Sequence, residues 1–311
     1  MKPVFTISEL SGLLDNQRDF VETTPMLRAR SVPGLFLKAE NLQVTGSFKV
    51  RPAFAQFFAL GPEERRRGVV TSSSGNFAIA AAYVARMVGV SCTVVMMPSA
   101  SRKKRERAEA LGARIVLCGD SYESRQKTVQ ELVAKEGLTA VHPFDAPEAI
   151  LGNGTLGWEI VEQVQDLRRI VVPVSGGGLL AGIATAVRQL CPRVELWGVQ
   201  AAGSNAAVLS WEAKRRVSIP RANTIADGLT VTCPGERTFP ILLALVDGIL
   251  QVEETAVRSA VTRLLDEEKL VVEPAGAVPV AAVLEGLVPA ERTVCVLSGG
   301  NLDWTRWERE S

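Results

Sequence analysis

The sequence is poor in the residues that build metal and disulfide sites. It holds one histidine, His142, and five scattered cysteines in 311 residues, none of them in a close CxxC pair. This pattern argues against structural zinc and against a disulfide framework. Neither a signal-length apolar run nor the roughly 18 apolar residues of a membrane span is present. We therefore expect a soluble, cytoplasmic protein with no membrane partner.

Charge of one sign is also lacking. Lysine and arginine number 35 against 34 aspartate and glutamate residues, so the formal net charge is +1. No global field would attract nucleic acid or an acidic membrane, and a small molecule is the expected partner. Residues 102–107 read RKKRER at the start of a predicted amphipathic helix, and we interpret them as a solvated helix face without nucleic-acid contact.

Short runs rich in valine and isoleucine alternate with segments of helical spacing. The predicted strands cover residues 68–71, 92–97, 114–117, 169–174, 194–200, 248–252 and 293–297. This alternation is typical of parallel sheets and predicts an α/β protein with two doubly wound α/β domains. The HPFDAP segment at 142–147 divides the two series. We expect a small domain over 61–145 and a discontinuous large domain over 1–60 and 146–311.

Three turns rich in serine, glycine and asparagine each follow a predicted strand. They are SSSGN at 72–76, SGGGL at 175–179 and SGGN at 298–301. Open α/β sheets bind ligands at the carboxyl ends of their strands, so we interpret the turns as parts of one site. Consecutive glycines at a helix N-terminus direct backbone N–H groups at an anion, which favours a phosphate at the middle turn. A tight turn that only allows close packing is the alternative.

The middle turn also satisfies a dinucleotide fingerprint, as Gly176-x-Gly178-x-x-Ala181. A nicotinamide-dependent oxidoreductase would need an acidic residue for the ribose about 20 residues further on. That position is Gln200. The sequence therefore disfavours this function.

Lys49 lies in an apolar neighbourhood. It follows Phe48 and a small turn, and it precedes a predicted apolar helix over residues 52–60. Desolvation favours the neutral amine, which is the form that a Schiff-base lysine requires. From spacing alone, a surface cation at this position is an equal alternative.

Eight segments in order along the chain support a more specific hypothesis. They are KAENLQVTGSFKVR (38–51), SSSGNFA (72–78), HPFD (142–145), GNGT (152–155), SGGGLLAGIA (175–184), TIADGL (224–229), VVEPAGA (271–277) and VLSGGN (296–301). Together they resemble the fold-type II pyridoxal-phosphate enzymes, specifically the serine/threonine dehydratase and serine racemase group. The resemblance implies a fold like the β subunit of tryptophan synthase, with pyridoxal 5′-phosphate between two domains.

The resemblance implies roles for individual residues at the reacting centre. Lys49 resembles the lysine that binds the cofactor covalently and later takes the Cα proton, and Phe48 resembles the residue beside the cofactor ring. Ser298 resembles the serine that donates to the pyridine nitrogen. A hydroxyl leaves that nitrogen neutral, which favours prompt β-elimination over transamination. Ser74 resembles the serine that faces Lys49 across the substrate in racemases.

Other residues are implied to hold the cofactor and the substrate. The phosphate cradle consists of Gly176, Gly177, Gly178 and Leu179, and the cofactor edge of Asn76, Gly228, Glu273 and Asn153. The substrate neighbours are Ser73, Ser74, Asn76, Phe77, Asn153 and Arg125. Turn positions are the alternative for Gly228 and Asn153, and capping of the next helix is the alternative for Glu273.

The chain departs from the family pattern in three places. Phe77 replaces a common histidine, which removes a polar group from the pocket rim. Residues 201–208 read AAGSNAAV, without the carboxylates of metal-dependent members, so we predict no divalent cation there. The chain ends soon after the last motif, so we expect no C-terminal regulatory domain.

Arg125 aligns with an arginine of the racemase and hydroxyaspartate branches, although an exposed helix arginine is the alternative.

The hypothesis is therefore a dehydratase that acts on L-threonine or L-serine. A serine racemase or a 3-hydroxyaspartate dehydratase on the same scaffold is the alternative, and a non-catalytic phosphate-binding module is the hypothesis outside enzymes. We expect a homodimer or homotetramer.

Overall fold

The computed structural model describes residues 3–120 and 122–307 of the chain. The helices are α1 (Ile7–Gln17), α2 (Val50–Ala59), α3 (Pro62–Arg67), α4 (Asn76–Val88), α5 (Arg102–Ala110), α6 (Tyr122–Glu136), α7 (Pro147–Gln163), α8 (Gly178–Leu190), α9 (Ala206–Ala213), α10 (Thr238–Leu245), α11 (Glu254–Asp266), α12 (Pro274–Leu284) and α13 (Trp304–Trp307). The strands are β1 (Met26–Arg28), β2 (Leu35–Lys38), β3 (Val69–Ser72), β4 (Cys92–Met96), β5 (Arg114–Leu117), β6 (Thr139–Ala140), β7 (Arg169–Pro173), β8 (Glu195–Ala201), β9 (Gly248–Val252) and β10 (Thr293–Val296).

Six strands form a sheet in the order β1-β2-β10-β7-β8-β9, and we call this sheet with its helices the large lobe. Its strands pair in parallel, except that β1 runs antiparallel to β2 at one edge. β1, β2 and β6 were not predicted from the sequence. At three, four and two residues they are too short to show a periodic pattern.

The other four strands form a parallel sheet in the order β5-β4-β3-β6, and we call this sheet with α4, α5 and α6 the small lobe. All five residues of β4 are buried, as expected of a central strand covered on both faces. The predicted fold class, with two largely parallel α/β layers, is confirmed. The domain boundaries stay a prediction, because α2 packs on α7 of the large lobe and also on α4 of the small lobe.

Small residues bring α7 and α8 close together in the large lobe. A Cβ atom on Gly182 would lie 2.4 Å from the Ile150 carbonyl oxygen and 2.5 Å from the Asn153 Cβ. Only glycine fits at such a distance, so the first turns of α8 are held against Asn153. None of the described helices combines the length and apolar character that crossing a bilayer requires.

Candidate active site

Lys49 immediately precedes α2, and the carboxyl end of β10 holds it in place. The Phe48 N–H donates to the Ser298 carbonyl oxygen at 3.0 Å, and Ser47 forms an isolated antiparallel bridge with Gly299. The Lys49 Nζ donates to the Pro143 carbonyl oxygen at 2.9 Å. The lysine therefore lies between the third serine turn and the HPFD segment, as a catalytic rather than a surface lysine would.

The surroundings of the Lys49 amine are mostly apolar. Its Nζ lies 4.8 Å from the centre of the Phe48 ring and 6.0 Å from that of Phe77. Part of the side chain is open to the site, but desolvation of the amine lowers the pKa of Lys49 to about 8, while the charge of Glu273 opposes this shift. The neutral amine is consequently available near neutral pH, as a nucleophile or a base requires.

Contacts join the first and third serine turns. The Asn76 Nδ2 donates to Glu273 Oε1 at 2.5 Å, and the Asn301 Nδ2 donates to Asn76 Oδ1 at 3.0 Å. Asn76 begins α4 in the small lobe, whereas Glu273 and Asn301 belong to the large lobe. The predicted convergence of these turns at the strand ends is therefore present in the structure.

The middle turn has the geometry of an anion cradle. Gly177 precedes α8 with a φ of +94°, and a Cβ atom on Gly176 or Gly178 would lie 2.6 Å from Phe144. The Thr238 hydroxyl donates to the Gly176 carbonyl oxygen at 2.6 Å and fixes the turn from its other side. Because the first N–H groups of a helix have no partner inside the helix, those of Gly178 and Leu179 are suited to an anion.

The HPFD segment supports this turn from behind. The His142 Nδ1 accepts the Asp145 N–H at 2.8 Å, and the His142 ring packs edgewise on Phe144 at 4.7 Å. Desolvation lowers the pKa of His142 to about 4, so the ring is neutral at pH 7 and keeps its acceptor nitrogen. The Asp145 carboxylate accepts three backbone N–H groups at the start of α10, from residues 236–238.

Glu273 is buried at the N-terminal boundary of α12, but its side chain makes no capping hydrogen bond there. The structure thus contradicts the alternative that Glu273 caps this helix, because its carboxylate is used by Asn76 instead. Desolvation raises the pKa of Glu273, and the charge of Lys104 opposes that shift. Gly228 is exposed in the short 3-10 helix Asp227–Leu229, close to Ala275 of α12.

Several buried polar atoms near these turns have no hydrogen-bond partner within residues 3–120 and 122–307. They are Ser47 Oγ, Ser72 Oγ, Ser74 Oγ and both polar atoms of the Asn153 side chain. Ser73 differs, since its hydroxyl accepts the Gly75 N–H at 3.3 Å. Buried polar groups in folded proteins are nearly always satisfied, so this set is consistent with a polar ligand.

Phe77 and Arg125 are the two remaining predicted substrate neighbours. Phe77 is 1% exposed and packs in the core of the small lobe, so only its distance to Lys49 relates it to the site. Arg125 lies near the start of α6, the helix that leads from β5 to β6 and packs on β3 and β4. Burial raises the pKa of the nearby Cys118 thiol, and the charge of Arg125 partly opposes this.

The structure corrects the interpretation of the RKKRER segment. Arg102 and Lys103 are exposed, but Lys104 is buried and its Nζ donates to Asp227 Oδ2 at 2.8 Å. The helical spacing of Lys104 and Ala108 places both on the buried face of α5. The basic segment therefore contributes one cation, Lys104, to the site. The four-residue spacing of Lys104 and Ala108 was the sequence feature that could have indicated this.

Comparison with known proteins supports the same chemistry. The family model described as pyridoxal-phosphate dependent enzyme matches residues 18–299. An L-threonine ammonia-lyase of Geobacter sulfurreducens is 41% identical over 271 residues, which cover 86% of this chain and 67% of that protein. The structure of a T.th. threonine deaminase is 39% identical, with a TM-score of 0.90 over 96% of this chain and 99% of that one. Maize serine racemase is 32% identical, with a TM-score of 0.93 over 99% and 97%.

The residues present fit pyridoxal phosphate. The glycine turn at α8 is closed to any side chain and offers N–H groups to a phosphate, and the Lys49 amine is the group that could bind an aldehyde. The Asn153 amide is buried beside α8 and has no hydrogen-bond partner among the residues that the structure describes, so it is available to a polar substituent, as are the serine hydroxyls of the first turn.

Proposed function

Since the chain belongs to the family of pyridoxal-phosphate dependent enzymes, we propose that it is an ammonia-lyase acting on L-threonine or L-serine. β-Elimination removes water from the hydroxy amino acid, and hydrolysis of the resulting imine releases ammonia with 2-oxobutyrate or pyruvate. The observation that carries this proposal is the desolvated Lys49 amine, placed between the HPFD segment and the third serine turn.

The cofactor, when bound, supplies an electron-withdrawing ring that makes the substrate Cα proton acidic. Lys49 then serves as the base that takes this proton, because burial favours its neutral form. The Pro143 carbonyl oxygen accepts a hydrogen bond from the Lys49 Nζ and so orients the amine toward the HPFD segment.

The remaining residues hold the reactants. Gly176, Gly177, Gly178 and Leu179 would bind the phosphate, and Ser298 would donate to the ring nitrogen. The turn with Ser73, Ser74 and Asn76 opens α4, so its N–H groups suit the substrate carboxylate. Asn153, Phe48, Gly228 and Glu273 would lie along the cofactor. These assignments follow from the matched motifs and from the contacts described above.

A racemase is the second candidate function. Maize serine racemase has the same fold over 99% of this chain, and the Ser74 Oγ is buried without a hydrogen-bond partner among the described residues. A hydroxyl there could return a proton to the face of Cα opposite Lys49. A 3-hydroxyaspartate substrate would require Arg125 to reach the second carboxylate, and this role of Arg125 stays a prediction from the sequence.

A nicotinamide-dependent oxidoreductase is not supported. The Gln200 side-chain oxygen accepts the Ala207 N–H at 2.9 Å, so it is used inside the protein rather than offered to a ribose. The assembly as a homodimer or homotetramer and the cytoplasm as compartment remain predictions from the sequence.

The test uses the purified protein with pyridoxal phosphate. A near-visible absorbance band that moves on borohydride reduction, together with labelling of the Lys49 peptide, would support the covalent attachment. L-Threonine, L-serine and 3-hydroxyaspartate are then assayed for ammonia and 2-oxo acid, and L-serine for D-serine. Release of 2-oxobutyrate or pyruvate is expected; D-serine without 2-oxo acid would favour the racemase, and no turnover of any of them would contradict the proposal.

A further inference from the structure

Lys104 is a buried cation on an otherwise solvated basic helix. Its side chain is 6% exposed, whereas those of Arg102 and Lys103 are 84% and 55% exposed. The Lys104 Nζ donates to Asp227 Oδ2 at 2.8 Å and lies 3.7 Å from Glu273 Oε2. α5 belongs to the small lobe and both carboxylates belong to the large lobe, so this ammonium connects the two lobes.

A chain of polar contacts runs from Lys104 through the site and returns to α5. Glu273 accepts from the Asn76 Nδ2, Asn76 accepts from the Asn301 Nδ2, and Asn301 accepts from Arg107 at 2.6 Å. Asn76 is in the middle of this chain with both polar atoms of its amide engaged. Asn301 holds the amide oxygen and Glu273 holds the amide nitrogen, and a carboxylate accepts this N–H more strongly than a neutral carboxyl does.

We propose that Lys104 is a positioning residue: its ammonium pairs with Asp227 and Glu273 across the two lobes and holds the Glu273 carboxyl where it fixes the Asn76 amide in the orientation that the substrate meets. The inference rests on the proposed function, since Asn76 is one of the groups proposed to hold the cofactor and the substrate. Lys104 itself does not take part in bond making.

The charges around Glu273 set the direction of the expected effects. Burial raises the pKa of Glu273, Lys104 lowers it, and Asp227 raises it. Lys49 also faces this carboxylate, and Asp303 acts on Lys104. Burial lowers the pKa of Lys104, but Glu273 and Asp227 more than compensate, so Lys104 stays protonated at neutral pH. Removal of Lys104 should raise the pKa of Glu273 further, and removal of Asp227 should lower it.

The experiment compares pH profiles of kcat/KM for the holoenzyme with L-threonine and L-serine. In Lys104→Met the acid limb should move to higher pH by about one unit, which is about a tenfold loss along that limb. Lys104→Arg should restore the limb, and Asp227→Asn should move it to lower pH. Arg102→Met is the matched control, because Arg102 pairs with Glu106 of its own helix, and its profile should equal that of the parent.

A general loss of packing would not move the acid limb in opposite directions in two variants. The proposal would be overturned if the acid limbs of the parent and of Lys104→Met coincided. It would also be overturned if Lys104→Met and Asp227→Asn shifted the acid limb in the same direction. Hydrogen exchange of the cofactor-free chain is the second measurement. Lys104→Met should exchange faster than the parent in α5 and at the start of α4, whereas Arg102→Met should not. If the parent turns over neither amino acid, the proposed function fails, and unchanged exchange in Lys104→Met would then overturn the role of Lys104 separately.

Discussion

Two groups of buried charged side chains lie near Lys49, and they are built differently. The first, which we call the Arg51 cluster, consists of Arg51, Lys38, Glu40 and Glu159. Arg51 donates to both oxygens of Glu40 at 2.8 Å and to both oxygens of Glu159 at 2.7 and 2.9 Å. Lys38 completes the cluster with a contact of 2.6 Å to Glu159. Two cations balance two carboxylates. Lys38, Glu40 and Glu159 belong to the large lobe, and Arg51 belongs to α2.

The second group, the Lys104 cluster, consists of Lys104, Asp227 and Glu273. It has one cation for two carboxylates, it spans both lobes, and Glu273 Oε2 has no hydrogen-bond partner in the described part of the chain. Loss of a member of a balanced, fully bonded cluster leaves a buried charge unpaired and destabilises the fold, whereas an unbalanced cluster has groups available for a ligand or a proton. We conclude that the Arg51 cluster supports the fold and that the Lys104 cluster serves the site.

The largest effect is expected at Lys49, where a substitution should lower turnover without lowering stability. Lys49→Ala should lower turnover by at least about 10²–10⁴-fold, because it removes the base and the point of covalent attachment. Stability of the cofactor-free chain should not fall and should rise near neutral pH, since desolvation disfavours the charged form of this lysine in the folded state. Steady-state kinetics and urea unfolding test both parts, and near-parent turnover would contradict the mechanism.

The next effect should fall on stability, at the Arg51 cluster. Arg51→Met leaves the buried Glu40 without its cation and Glu159 with Lys38 alone, and it should lower the free energy of unfolding by about 3–5 kcal/mol. Arg18→Met is the control, because the Arg18 side chain is 77% exposed and its ion pair should contribute less than about 1 kcal/mol. Equal urea midpoints for the two variants would mean that the cluster does not support the fold.

A smaller effect is expected at Ser298, whose carbonyl oxygen accepts from Phe48 and whose hydroxyl we assign to the ring nitrogen. Ser298→Asp would favour a protonated ring and should lower elimination about tenfold, for a change of about 1.4 kcal/mol in the barrier. Cofactor titration distinguishes this from misplacement, which would weaken binding as well. Parent-like elimination and binding would mean that Ser298 does not contact the nitrogen.

The smallest effect concerns metal. Residues 201–208 hold no carboxylate, and the Glu254 carboxylate that contacts them accepts from the Gly203 N–H, the Thr224 hydroxyl and the Ile225 N–H at 3.0 Å each. Hard cations need oxygen ligands that are free to coordinate. Turnover should be unchanged after EDTA treatment, and a loss that magnesium restores would show a metal site elsewhere.

Local patterns predicted much of the fold. The predicted bounds of β5 and β9 agree with Arg114–Leu117 and Gly248–Val252, since runs of valine and isoleucine are visible within a few residues. The short strands β1 and β2 were missed because they are defined by pairing with distant strands rather than by a pattern of their own.

The sequence by itself determined the α/β class, the three turns at strand ends and the apolar setting of Lys49, because these depend on neighbouring residues. Only the tertiary structure decided that Lys104 is buried and that Glu273 binds Asn76 instead of capping α12. The reason is distance along the chain: Lys104 and Asp227 are 123 residues apart, and Asn76 and Glu273 are 197 apart. Burial and charge pairing between such residues arise only when the two sheets are folded against each other.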